Sequence, residues 1–184
     1  AVNVGTGLIN PFLSIQKDPV EEGFNTDGSP LPLDTKRPTF TNSLLVNQVG
    51  VVNIAGTDYL EFLLDVNEPN TAASFIKLQE FRIYTGGAAA ATATTLAGLN
   101  LIYDMDLGDT GNEVHIDANY FPGSGIGVDL YTYVPLAPFL GLGADRLRVH
   151  VLGQHEAALE HAEIALGAMH LVALLVLLEL ALAL

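Results

Sequence analysis

The chain has 184 residues, which is enough for one domain with a substantial core and too few for two ordinary ones. Its 21 acidic residues outweigh 7 basic ones, giving a net charge of −14. A surface of that sign repels phosphates and offers no basic stripe, so nucleic acid is not expected as a partner. The absence of cysteine excludes disulfides and thiolate metal sites.

The N-terminal run alternates side chains in the manner of a strand, at Val2, Val4, Thr6 and Leu8. Pro11 separates it from a second short piece, Phe12–Gln16. A strand of this design can complete the sheet of another copy, with alternate side chains filling pockets. Repeated head to tail, that contact gives an open filament. We therefore predict an assembly arm at 1–16, with a plain first strand of the same sandwich as an equally supported alternative.

The next region, 17–38, is turn-rich without clear periodicity, and we expect a long loop that is functional or covers a surface. Three consecutive strands joined by turns are then predicted, since apolar residues alternate or cluster there with glycine and proline between them. They are Leu44–Val52, Asp58–Val66 and Phe75–Thr85.

An Ala/Thr/Gly-rich linker at 86–98 precedes four further alternating segments: Leu99–Met105, Glu113–Ala118, Val128–Val134 and Leu147–Leu152. Leu101 and Tyr103 are expected on one core-facing side of the first of these. Eight or nine short strands predict an all-β fold, a single β-sandwich of jelly-roll or Greek-key type over 17–153.

The tail at 154–184 is dominated by Ala and Leu and departs from this pattern. Three interpretations of this tail stay open. It is a membrane-spanning or amphipathic helix, it is a terminal β-segment, or its residues are not the protein's genuine sequence. Against a simple span, His170 and Glu179 lie inside the apolar stretch and no Lys or Arg flanks it. We expect no membrane span in the mature protein.

Several segments resemble uncharacterised secreted bacterial β-sandwich proteins that exosortase sorts through a short PEP-type C-terminal signal. The segments are Gly23–Gly28, Leu33–Lys36, Thr41–Leu45, Phe62–Glu68, Leu78–Tyr84 and Leu101–Asp106. The resemblance covers about residues 20–152 as a pattern match. It implies export to the cell surface or extracellular matrix and no catalytic residues. The chain departs from the family in its tail and in lacking a Pro-Glu-Pro signal with a basic end.

A candidate calcium site lies between two predicted strands, where carboxylates cluster at Asp104, Asp106, Asp109 and Glu113. Calcium takes six to eight oxygen ligands, which clustered loop carboxylates can supply. The spacing is not that of an EF-hand, and the alternative explanation is that these are ordinary solvated turns. Calcium is therefore the one cofactor that the sequence suggests.

Two tyrosines, Tyr131 and Tyr133, share one exposed face of a predicted strand and form a candidate sugar-stacking strip. Cross-strand packing is the alternative explanation. No set of nucleophile, base and metal ligands assembles, so we do not expect an enzyme. His155 and His161 are six apart, which would point them away from each other on a helix and excludes a zinc-protease motif.

These features favour a structural subunit of an extracellular bacterial filament or matrix fibre that assembles with itself by strand complementation. A secreted carbohydrate-binding module with polysaccharide as its partner is the alternative. Residue 1 is Ala and the chain is rich in Thr, Asn, Gly and Asp, which favours a secreted protein whose signal peptide has been removed.

Overall fold

The computed structural model describes residues 11–66, 75–108, 111–117 and 128–155. Over these ranges the chain is an all-β sandwich of two antiparallel sheets, which confirms the predicted fold class. Nine strands lie within them: β1 Val20–Phe24, β2 Leu44–Leu45, β3 Gly50–Ile54, β4 Thr57–Leu64, β5 Phe75–Gly86, β6 Asn100–Asp104, β7 Val114–Asp117, β8 Leu130–Pro135 and β9 Arg146–His155.

Two long strands, β5 and β9, form the centre of the six-stranded sheet and pair with each other over most of their length. On its other edge β5 pairs with β7 and then β6, while β9 pairs with β1 and then β2. A bulge between Leu78 and Glu80 reverses the alternation of β5. Ile76 and Leu78 therefore point into the core together with Phe81 and Ile83.

The three-stranded sheet has the order β3-β4-β8. Ala55 and Gly56 connect β3 to β4 with positive φ angles of 51° and 89°, as a type I′ hairpin turn requires. The Asn53 side chain closes the turn, accepting from the Gly56 amide at 3.1 Å and donating to Asp58 at 2.6 Å. This hairpin is the one that the glycine-containing link predicts.

The core fills the space between the two sheets. Phe62 of β4 and Phe81 of β5 meet edge to face across it, with ring centroids 5.6 Å apart. Phe12 packs on the other side of Phe62 at 6.2 Å. The fully buried apolar side chains from both sheets include Leu60, Ile83, Val134, Leu147 and Val149. Burial of this order is the main stabilising term for a chain without disulfides.

One predicted strand is wrong in part. The segment Leu44–Val52 is two strands, because Val46–Gln48 forms a 3₁₀ turn in which the Gln48 side chain accepts from the Leu45 amide at 2.8 Å. That turn carries the chain from the six-stranded to the three-stranded sheet. The third predicted strand is present as β5, and it lies in the six-stranded sheet while β4 lies in the three-stranded one.

The region 17–38 contains a strand, β1, that the sequence did not predict. The acidic pair Glu21 and Glu22, followed by Gly23, hides the alternation. Gly23 is required there because a Cβ would lie 2.3 Å from the Ile15 side chain and 2.7 Å from Thr35.

Leu101 is also placed differently from the prediction. A register shift opposite Ile83 and Tyr84 puts one extra residue into β6. Tyr103 consequently pairs with Ile83 and packs on the core, whereas Leu101 pairs with Tyr84 and is 46% exposed.

The Ala/Thr/Gly linker is ordered where it begins. Ala88–Thr92 forms a 3₁₀ turn, and Ala90 is buried against Gly86, where an added Cβ would lie 2.8 Å from the Ala90 Cβ. Its small residues therefore serve close packing over the end of β5.

Candidate functional site

The outward face of the three-stranded sheet carries the two candidate tyrosines. Tyr131 and Tyr133 lie on β8 with 52% and 40% of their surface exposed. Their rings are nearly parallel, with an interplanar angle of 17° and centroids 6.5 Å apart. The predicted shared exposed face is therefore present, and the two rings also interact with each other.

Glu61 of β4 stands directly across from Tyr133. Desolvation, a hydrogen bond to Glu61 and the negative charge of that carboxylate together raise the pKa of Tyr133. On the far side of Glu61 the register places Gly50, where an added Cβ would meet nothing within 4 Å. The carboxylate thus has a phenol on one side and open space on the other.

The edge strand β3 pairs with β4 on one side, and none of the described residues pairs with its other side. Its sequence, Gly-Val-Val-Asn-Ile, has no charge and no proline. Val51 is 53% exposed and Ile54 is 43% exposed. Such an edge presents free backbone N–H and C=O groups beside apolar side chains, which is the ordinary template for strand addition.

The assembly arm residues Val2, Val4, Thr6 and Leu8 lie outside the described residues, so the arm stays a prediction. The described part of the 1–16 segment contacts its own domain. Phe12 accepts a hydrogen bond from the Asn42 amide at 2.9 Å, and Gln16 donates to Asp34 at 3.2 Å. Any outward reach must therefore begin before Pro11.

The candidate calcium ligands are only partly brought together. Asp104 accepts from Arg82 at 3.0 Å and from the Asp106 amide at 3.0 Å. Glu113 lies 3.2 Å from the Lys77 ammonium and 2.9 Å from His115. Asp109 lies outside the described residues. Within the described ranges no three His, Asp or Glu side chains form a metal-binding group, and calcium stays a prediction.

A buried polar cluster on the outer face of the six-stranded sheet was not predicted from the sequence. Asn25, Arg148 and His150 are all almost fully buried. The 3₁₀ turn Ala88–Thr92 and the turn after β1 cover this face, joined by hydrogen bonds from Thr26 to Ala93 at 2.7 Å and from Asp27 to Ala91 at 2.8 Å. Alternation on β9 predicts one buried face, whereas this covering buries both.

Asn25 connects three separate segments through one side chain. Its Nδ2 donates to the carbonyls of Asn42 at 3.0 Å and Leu147 at 3.2 Å, and its Oδ1 accepts from the Val149 amide at 2.7 Å. It fills the gap on β9 between the partners β1 and β2. A side-chain amide thus supplies the hydrogen bonds that a strand residue would otherwise make.

Arg148 is buried with few partners. Its Nη1 donates to the Leu147 carbonyl at 2.8 Å, while Nε and Nη2 have no hydrogen-bond partner among the described residues. Burial lowers the pKa of Arg148 to about 10, an effect that the Asp27 charge opposes and the Arg146 charge reinforces.

His150 lies on the same face between two carboxylates. Its Nε2 is 2.8 Å from Glu22, and its Nδ1 is 3.5 Å from Glu80. Glu80 in turn pairs with Arg82 at 2.6 Å. The carboxylates of Glu22 and Glu80 are therefore engaged with His150 and Arg82 inside the domain, and these groups are not arranged as an open site.

Comparisons with family models, with curated proteins and with solved structures found no match. No helix in the described ranges is long and apolar enough to cross a membrane. The resemblance to exosortase-sorted proteins therefore stays a prediction from the sequence segments that carry it.

Proposed function

We propose that this chain is a structural subunit of an extracellular filament or matrix fibre, in which each copy adds a strand to the sheet of the next. The observation that carries the proposal is the edge of β3, which has no charge and no strand partner among the described residues. Natural proteins block sheet edges with charges, proline or covering loops unless the edge has a partner.

The other edges of the described strands support this contrast. On the six-stranded sheet, β1 carries two glutamates and a covering hydrogen bond from the Asp34 amide to Glu22 at 2.9 Å. Charged residues lie on β6 and β7, and β2 is only 2 residues long. On the three-stranded sheet, β8 ends at Pro135, which has no N–H to donate. Only β3 combines usable length with no such protection among the described strands.

The N-terminal run has the side-chain pattern that such an added strand needs. Val2, Val4, Thr6 and Leu8 recur at the period of two that a pleated strand needs, and small or polar residues separate them. Joining this run to β3 of another copy is a heterologous contact, and such contacts build open chains unless the rotation closes a ring.

The first test is the assembly state of the full chain with and without residues 1–10. Electron microscopy of the purified full chain is expected to show filaments with a regular subunit repeat. The deletion is expected to give folded monomers by light scattering, with the far-ultraviolet circular dichroism of a β protein. A full chain that stays monomeric at high concentration contradicts the proposal.

The second test places charge on the edge. Val51→Lys with Ile54→Lys is expected to abolish filaments while changing the melting temperature little, because both side chains are already exposed. Leu101→Lys is the matched control, since Leu101 is similarly exposed on an edge strand of the other sheet. Equal loss of assembly in both variants would show that charge alone, and not the β3 edge, is responsible.

A further inference from the structure

A second surface on the three-stranded sheet is independent of its edge. The cross-strand register on the outward face pairs Leu63 with Tyr131, Glu61 with Tyr133, and Tyr59 with Pro135. The core side chains of these strands, Leu60 and Phe62 among them, point to the opposite face. The outward face is thus a continuous row of aromatic and apolar side chains containing one carboxylate.

The tyrosine rings offer flat apolar surface. They are held two residues apart on one strand, their planes differ by 17°, and about half of each side chain remains accessible. A pyranose ring has a face of C–H groups that packs on such a ring, with its hydroxyl groups pointing outward around the contact. Tyrosine suits this task because it provides apolar area and a polar end at a low cost in side-chain freedom.

The polar groups are placed at the rim of the rings. Glu61 lies across from Tyr133 and can accept hydrogen bonds from sugar hydroxyls on the side where Gly50 leaves open space. Apolar rings combined with a small number of oriented polar groups are the usual composition of a small-molecule subsite.

We propose that the outward face of β4 and β8 binds a neutral, pyranose-based polysaccharide through Tyr131, Tyr133 and Glu61. The net charge of −14 and the carboxylate within the site exclude polyanions by repulsion. This binding goes beyond the proposed assembly, and the two are compatible because one uses the face of the sheet and the other uses the edge of β3.

The test measures binding of the full chain to immobilised polysaccharides by biolayer interferometry. The probes are hydroxyethyl cellulose, galactomannan and dextran, with alginate as the anionic comparison. Wild-type protein is expected to bind at least one neutral polymer and not alginate. Tyr131→Ala with Tyr133→Ala is expected to weaken binding by about tenfold or more, given the contribution of an aromatic contact at each ring.

Two further variants distinguish a loss of ring stacking from a general effect of changing exposed side chains. Tyr131→Phe with Tyr133→Phe keeps both rings and is expected to retain most of the binding. Leu140→Ala removes another exposed side chain and is expected to change nothing. The proposal is overturned if no neutral polymer binds, if the double alanine variant binds as well as wild type, or if alginate binds best. The double alanine variant is also examined for filaments by electron microscopy. It is expected to form them, so that a loss of polysaccharide binding is not caused by a loss of assembly.

Discussion

The two sheets of this sandwich differ in how they use their outer faces and edges. The six-stranded sheet covers part of its outer face with the Ala88–Thr92 turn and fills a gap in the pairing of β9 with Asn25. On the same face Arg82 is held in ion pairs with Glu80 and Asp104. The three-stranded sheet exposes tyrosines on its face, and its β3 edge is uncharged and has no strand partner in the part of the chain that the structure describes. The first arrangement serves stability, and the second leaves surface available for partners.

The most direct test of this comparison is to truncate one side chain in each sheet. Ile83→Ala on β5 removes a side chain with no exposure and should destabilise the fold by about 2–5 kcal/mol, because it leaves a cavity. Val51→Ala on β3 should change stability by no more than about 0.5 kcal/mol, since that side chain is mostly in solvent. Urea unfolding of both variants measures the difference, and similar losses would contradict it.

Two arginines on the outer face of the larger sheet sharpen the comparison further. Arg148 is buried without a direct carboxylate partner among the described residues, so Arg148→Met should be neutral or stabilising, by up to about 1–4 kcal/mol. Arg82 binds both Glu80 and Asp104, so Arg82→Met should destabilise by leaving those carboxylates unpaired. The midpoints of urea unfolding at neutral pH test whether the two substitutions change stability in opposite directions. A marked loss in Arg148→Met would mean that its guanidinium has a partner in the folded protein.

The smallest expected effects concern how stability depends on pH. This dependence should have opposite signs for Asp27, beside the six-stranded sheet, and Asp65, directly after β4 of the three-stranded sheet. Burial tends to raise the pKa of Asp27, but hydrogen bonds from Ser43 and the charges of Arg146 and Arg148 outweigh it and lower that pKa. Burial and the Asp129 charge raise the pKa of Asp65. Ionisation of Asp27 therefore stabilises the fold, and ionisation of Asp65 destabilises it.

The stabilisation from Asp27 is present above its ordinary pKa of 3.8 and is lost as the pH falls through the lower folded value. Asp27→Asn should thus reduce stability at neutral pH, with the deficit shrinking in acid. The folded protein binds a proton at Asp65 more tightly than the unfolded chain does, and this stabilises the fold. The stabilisation is fully present below the ordinary pKa of 3.8 and is lost as the pH rises through the higher pKa of the folded state. Asp65→Asn should raise stability at neutral pH and lose its advantage in acid. Denaturation series from pH 3 to 7 would expose a reversed sign in either variant.

The core face of the smaller sheet follows directly from the sequence. Leu60 and Phe62 alternate with partly exposed neighbours, and a buried side chain recurring every second residue is what a half-buried strand requires. The exposed tyrosines of β8 follow by the same rule. Alternation worked here because no bulge interrupts the pairing of β4 with β8.

The predictions for the larger sheet fail where buried and exposed side chains do not alternate regularly along the strand. Bulges reverse the pattern within β5 and β6, and Glu21 and Glu22 conceal β1. Nothing local to Arg148 indicates its burial, because the residues that cover it are distant in sequence. Membership of a sheet depends on such long-range contacts, and one sequence read along its length does not contain them.

The position of β9 sets an order of events during synthesis. This strand is the last one described, yet it pairs with β1, β2 and β5, and Asn25 bonds to two of its residues. The strand partner that β1 and β2 share, residues 146–155, is therefore synthesised long after both of them. Completion of the six-stranded sheet is therefore expected to be a late event in folding, after β9 has been synthesised.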